Sequence, residues 1–353
     1  MADSDVRDVH VVVATDRFDD DLTVLLGEHG FRVDAIYPAD APTTAIVSAH
    51  GVRLHLESSA APAPVTLHLL SDDRSGERAL PGGTRLVFRP FTTAYELPDN
   101  APSLVVSHDD GATGAGRAGM RYRDLLPDRW GGRFVASHIS IPDGGPVPDY
   151  VHFHKVRFQM IFVKAGWVRV LYEDQGDPIL MATGDCVLQP PEIRHRVLEA
   201  SPGLEVIEVG CPALHETIAD WGLPLPNGVG DPARRWDDQA FVHHVAEGAP
   251  YAAWVVAGWE HRDTGIGGAT AGLAGVRAAR PIGGGAEPAA HTVPADHELA
   301  FLVALRGSVT FTVDGGTPVE LVDGSSVAVP PGTAYTLADA SHDCELLDVT
   351  LPA

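Results

Sequence analysis

Short runs of alternating apolar and polar residues recur along the chain, each closed by a turn bearing glycine or proline. Alternation with period two puts successive side chains on opposite faces of a strand, so these runs predict β-structure. The first block spans Asp8 to Arg89 and opens with the β-run VHVVVATD. DDDLTVLLGEHGF follows, an amphipathic stretch whose acidic start suits a helix N-terminus. FRVDAIYP, TTAIVSAHGVRLHLES and VTLHLL then read as strands. A small α+β domain over residues 1–97, of βαβββ order, is expected, followed by a linker over 98–120.

The second block covers 121–222. Its predicted strands are RFVASHISI, YVHFHKV, FQMIFVKAG, WVRVLYED, CVLQP, HRVLEA and LEVIEVG. A linker over 223–240 leads to a third block, 241–353, which ends in LAFLVALRG, SVTFTVDGG, TPVELVDG, SVAVPPG and ELLDVTLP. The two blocks share a rhythm, seen by setting GWVRVLYEDQGDPILMATGDCVLQPPEIRH beside GSVTFTVDGGTPVELVDGSSVAVPPGTAY. That is an internal repeat of many short strands, which predicts a mainly β chain with two tandem jelly-roll barrels behind the α+β domain.

Charge narrows the partners. The formal net charge of −23 argues against nucleic acid, which needs a basic face, and against an anionic membrane surface. Three cysteines, Cys186, Cys211 and Cys344, form no CxxC and no disulfide framework is expected. MADSDVRDVH lacks the basic and apolar regions of a secretory leader. No apolar run approaches the roughly 20 residues of a membrane span. A reduced, cytoplasmic protein is the expectation, with homodimerisation as the expected assembly.

His152 and His154 lie two apart in an alternating run, so both imidazoles share one strand face, with Tyr150 on that face too. Gln159, Gly166, Gly184, Pro190-Pro191 and His195 follow. Two histidines at i and i+2, completed by a third from a neighbouring strand, form a facial set with open positions, as catalytic metal sites do. A metal-free barrel with hydrogen-bonded core histidines is the competing reading. Arg157 is in phase with Gln159 if the strand already runs there, and could clamp a substrate carboxylate; alternatively it sits in a solvated turn. Tyr150 could bond substrate at the rim or simply pack. Cys186 and Cys211 read as core residues.

These residues resemble the two motifs of the cupin superfamily, G(X)5HXH(X)3–4E(X)6G and G(X)5PXG(X)2H(X)3N, at His152, His154, the Glu position (Gln159), Gly166, Gly184, Pro190 and His195. The resemblance implies a bicupin over about two thirds of the chain. It also implies a divalent metal held by His152, His154, Gln159 and His195, with Fe(II) the first expectation and Zn, Mn, Ni or Cu compatible. Gln159 replaces Glu, Glu192 replaces the second-motif Gly, and Glu199 replaces Asn. A neutral amide leaves the site more positive than a carboxylate would and removes the obvious general base. The third block keeps Gly324, Pro330 and Gly332, but Tyr335 replaces the histidine; His291 and Glu298 align with His152 and Gln159. A His291/Glu298/Tyr335 set could hold a metal weakly, but the block is expected to be a degenerate, structural barrel that pairs with its neighbour. The first block faintly resembles one module of the vicinal-oxygen-chelate superfamily, with His10 and Glu57 at its ligand positions.

The expected function is that of a mononuclear metal-dependent dioxygenase acting on a small oxygen-bearing anion: a hydroxylated aromatic, a β-dicarbonyl or an enolate. Alternatives are a non-redox Zn or Mn isomerase, cyclase or lyase, and a small-metabolite sensor. No catalytic residue beyond the ligand set is named by the sequence.

Overall fold

The computed structural model describes residues 8–90, 95–284 and 287–353; residues 1–7, read above for a leader, lie outside that range. Contacts divide the chain into two compact units, Met1–Ala94 and Tyr95–Ala353.

The first unit has the expected βαβββ order. Its mixed sheet runs Val11–Thr15, Val52–Ser58, Thr44–Ala49, Arg32–Tyr37, the first pair being parallel. Helix Phe18–Glu28 buries Phe18 and Leu25 against Val13, Val47, Leu54 and Leu56. A three-stranded sheet follows, Thr66–Leu70 beside Arg85–Arg89 beside Gly76–Ala79; the last two strands carry little alternation and were not anticipated. His10 pairs with Asp8 at 3.1 Å and Glu57 with His55 at 3.3 Å. Among the described residues, the one group of three or more potential His, Cys, Asp or Glu ligands is elsewhere, at His152, His154 and His195.

The second unit holds two jelly-roll barrels. The main sheet of the first runs Val242–His244, Cys186–Leu188, Phe158–Ala165, Leu204–Cys211, Val135–Ile141, Arg121–Asp124, Gly114–Ala115. Its facing sheet runs Ile179–Ala182, Trp167–Tyr172, His195–Ala200, His152–His154, Thr217–Ala219. The second barrel repeats the plan, with Leu299–Arg306 between Glu345–Leu351 and Ser326–Ala328, and facing strands Ala289–Thr292, Ala334–Ala338, Ser308–Val313 and Val319–Val322.

Period two now has a double use. In Phe158–Ala165, Val163 packs inside its own barrel with Val168, Val170 and Tyr172, whereas Phe158, Met160 and Phe162 project from the other face. They meet Phe301, Val303, Leu347 and Val349 of the second barrel in one shared core. Both main sheets are thus buried on both faces, which explains their near-continuous apolar sequence. The stretches between the blocks also pair. Val105–Ser107, from 98–120, adds to the second barrel's Ser326–Ala328; Val242–His244, which precedes the second barrel, adds to the first barrel's Cys186–Leu188. Two arginines echo the exchange: Arg123 donates to the Gly324 carbonyl at 2.9 Å and Arg262 to the Gly184 carbonyl at 3.2 Å. Both glycines have positive φ, 92° and 81° at 184 and 324, so the second-motif glycine makes the turn and also receives the neighbouring barrel. The three cysteines are free and buried, and burial pushes the Cys211 thiol up to about 11.

All six tryptophans lie beyond residue 95, so their fluorescence reports the two-barrel unit alone. Phe162→Ala should cost about 3–5 kcal/mol in guanidinium unfolding and leave one cooperative fluorescence transition, because the layer it thins belongs to both barrels. Two separated transitions would show that the barrels are independently stable.

Candidate metal centre

Register places the histidines. His152 pairs directly with His195 across antiparallel strands, and His154 is two residues further along the same face. All three are buried, and His152 is fully so. Their potential ligand atoms lie within 4.8 Å of one another. Each ring has its Nδ1 engaged: His152 with the Tyr150 carbonyl at 2.8 Å, His154 with Thr217 Oγ1 at 2.9 Å, His195 with the Ile193 carbonyl at 3.0 Å. A donated Nδ1–H fixes the tautomer that leaves the Nε2 lone pair for a cation. Burial, and for His154 the neighbouring imidazoles, lowers the pKa of all three, most strongly for His154 and His195. They are neutral at pH 7, as metal ligation requires. The residues therefore fit a divalent ion.

His154 and His195 line a cavity of about 620 Å³. Its other polar residues were not picked out from the sequence. Arg117, in the segment expected to be a linker, donates to Asp149 Oδ1 at 2.5 Å and to His152 Nε2 at 2.5 Å. An ion at His152 Nε2 would displace that second bond from a guanidinium that already lines the cavity. Asp149 has a fully buried side chain and its Oδ2 also accepts the Val197 N–H at 2.9 Å. Glu208 lines the cavity from the strand beside Gln159, and the Gln159 amide nitrogen donates to it at 2.6 Å. The carboxylate missing at 159 is thus restored one strand away. Alternation carried a signal for Glu208, since LEVIEVG puts its position on the inner face. Arg117 left no periodic signal because it sits in a turn around Ala118, φ 53°.

Gln159 is buried on the inner face, and its bond to Glu208 is made by nitrogen, which leaves the carbonyl oxygen outside that contact. Tyr150 does not line the cavity: its ring lies 5.3 Å from that of exposed Trp221, and its carbonyl orients His152. Arg157 corrects the clamp expectation. Its guanidinium makes a bidentate pair with Glu298 of the second barrel at 2.8 and 3.0 Å, and Glu298 also takes Arg133 at 2.5 Å. The Arg157 bond, helped by Arg133, holds the Glu298 carboxyl at about 2 against the cost of burial. Glu298 is therefore an inter-barrel anchor, and the cross-strand register matches Ala300, not Glu298, with Gln159. His291 pairs with Tyr335 as His152 does with His195, and Val293 takes the place of His154. Glu192 keeps the left-handed backbone of the glycine it replaces, φ 61°, with its N–H bonded to the His154 carbonyl at 3.1 Å.

Two fused jelly-roll barrels, one with three converging imidazoles and the other with that set broken, make this a bicupin fold. Solved structures agree. The chain superimposes on a variant of the salicylate 1,2-dioxygenase of Pseudoaminobacter salicylatoxidans with a TM-score of 0.51 at 17% identity, over 72% of this chain and 85% of that one. It superimposes on the oxalate decarboxylase of Lactobacillus farciminis in its formate complex with a TM-score of 0.51 at 13% identity, over 74% and 88%. The protein Ylba of E. coli gives 0.50 at 9%, over 73% and 94%. No family model matches the sequence, and no curated protein matches it. No helix among the described residues is long and apolar enough to cross a membrane.

The lowered imidazoles make a signed prediction for chelator-treated protein. Unfolded histidines take up protons near pH 6.5 while the folded ones resist. The stability due to neutral imidazoles is present above that pH and is lost as pH falls through the folded values. The denaturation midpoint should drop between about pH 7.5 and about pH 5.5, and less in His195→Gln. An equal drop in both proteins would place the pH dependence elsewhere.

Proposed function

We propose that this chain is a mononuclear metal-dependent oxygenase of the dioxygenase type, with His152, His154 and His195 as ligands, Gln159 as a weaker fourth and Fe(II) as the ion. Three neutral, buried imidazoles whose Nδ1 atoms are engaged and whose potential ligand atoms converge within 4.8 Å, two of them lining a cavity of about 620 Å³, carry this reading; an ion would take His152 Nε2 from Arg117. When bound, such an ion would supply Lewis acidity and, as iron, one-electron chemistry with dioxygen. The chain's own residues select the substrate. Arg117 and Asp149 cancel in charge; a divalent ion with Glu208 leaves one positive charge, which a monoanion offsets in a weakly screened cavity. Val168, Val170 and Ile139 line the walls, suiting an apolar body such as an aromatic ring. Arg117, released from His152, is the cation within reach of a substrate carboxylate or enolate, the role the sequence suggested for Arg157.

Glu208 favours one second reading. A carboxylate in the cavity, oriented by Gln159, can move a proton, so a Zn- or Mn-dependent isomerase, cyclase or lyase also suits these residues. Metal analysis and oxygen uptake with hydroxybenzoates decide between them. His154→Ala or His195→Ala should abolish stoichiometric metal, and Gln159→Leu should weaken binding by about 10–100-fold. Arg117→Ala should raise KM for a hydroxybenzoate by about tenfold or more relative to its methyl ester, the loss of a charged hydrogen bond, while Arg157→Ala leaves that ratio unchanged. Iron with uptake that survives Glu208→Gln supports the oxygenase. Zinc or manganese, no uptake, and turnover that Glu208→Gln abolishes would replace it with the proton-transfer enzyme.

A further inference from the structure

The second barrel has a cavity of its own, about 240 Å³, lined by none of the residues around His154. At roughly 30 Å³ for each water-sized group it holds on the order of eight non-hydrogen atoms. Val293, Ala300 and Leu302 form part of an apolar wall, and polar side chains enter from several strands.

Those polar groups fall short of satisfying one another. Arg277 is the cross-strand partner of Asp348, but its guanidinium reaches Asp348 Oδ2 only at 3.5 Å and Thr350 Oγ1 at 3.3 Å. The same carboxylate oxygen already accepts the Trp254 indole N–H at 3.2 Å. Tyr335 lies edge-on to His291 at 5.6 Å, and its hydroxyl makes no hydrogen bond among the described residues. Nδ1 of His261 and of His297 is buried without a hydrogen-bond partner among the described residues. Buried polar atoms are ordinarily bonded, and such a cluster of exceptions at one cavity calls for a reason. Among the described residues, no three His, Cys, Asp or Glu ligand atoms converge here as those of His152, His154 and His195 do.

We infer that this cavity is a binding site for a small organic monocarboxylate, with Arg277 taking the carboxylate and Val293, Ala300 and Leu302 the hydrocarbon part. Arginine presents five donors in a planar fork, and two long contacts leave most of them for a guest. A carboxylate matches that fork in shape and charge; an ammonium guest would face a like charge. Burial keeps His291 and His297 neutral and pushes the Asp348 carboxyl and the Tyr335 phenol up. The neutral imidazoles and the Tyr335 phenol offer N–H and O–H donors to a guest carboxylate.

The test is calorimetric titration of the full, chelator-treated chain with benzoate, the smaller 2-methylpropanoate, benzamide and benzylamine. One of the two carboxylates should bind at a single site, about tenfold or more tighter than the amide or amine. That binding should persist in a His154→Ala, His195→Ala double variant, which dismantles the first barrel's centre, and weaken about tenfold or more in Arg277→Leu. Because Arg277→Leu strips buried Asp348 of its partner, Ala300→Leu is the second arm: it fills the cavity, keeps Arg277 and should abolish binding. The inference is overturned if neither carboxylate binds at millimolar concentration. It is equally overturned if folded Ala300→Leu binds as the wild type does, if benzylamine is preferred, or if the double variant loses the site.

Discussion

Everything in the two-barrel unit hangs on strands that are buried on both faces. In Phe158–Ala165 one set of alternate side chains faces the other barrel and the other set faces inward, where Gln159 meets Glu208. A slip of one residue would exchange the faces, sending Phe162 and Met160 inward and Gln159 into an apolar layer. The shared core therefore fixes register, and register places Gln159 and Glu208 on one inner face. The facing sheet obeys the same logic, since pairing of His152 with His195 brings two imidazoles together without any loop having to be held in place. Sites built on paired strands hold their geometry better than sites built on loops.

The first barrel separates two kinds of polar residue. Its histidines are held by backbone carbonyls and a threonine, groups that cannot change charge, so ring orientation is independent of what enters the cavity. Arg117 is held by Asp149 and by His152 itself, so its position is coupled to whatever occupies the Nε2 lone pair. Were an ion to occupy that lone pair, Arg117 would keep Asp149 as its partner and lose His152.

Legibility followed periodicity. The βαβββ order, both barrels and the three histidines were readable because period-two alternation and motif spacing are local properties of the chain. Strands such as Gly275–Pro281, sequence GVRAARP, and Trp259–Asp263, sequence WEHRD, were missed; they carry few β-branched residues and owe their strand state to pairing, Trp259–Asp263 with Gly275–Pro281 and the latter in turn with the distant Glu345–Leu351. Arg157 and Glu298 misled for the same reason. Phase along one strand suggested that Arg157 faced the pocket, and motif spacing put Glu298 at the place of Gln159. Only the packing of one barrel on the other shows that these two residues meet. Arg117 was invisible because a turn has no period.

The reciprocal loan of edge strands has a further consequence. Each barrel completes its main sheet with a strand drawn from the chain that precedes the other one. The halves are therefore interlocked rather than strung together. Copying either block into a shorter gene would yield a sheet with a raw edge beside a bare apolar face, a form prone to self-association. The decayed second barrel thus has a reason to be retained whatever it binds: a lineage that deleted it would expose the first. A backbone cut within 223–240, by contrast, would leave two fragments still clasped, each carrying a strand that belongs to the other's sheet.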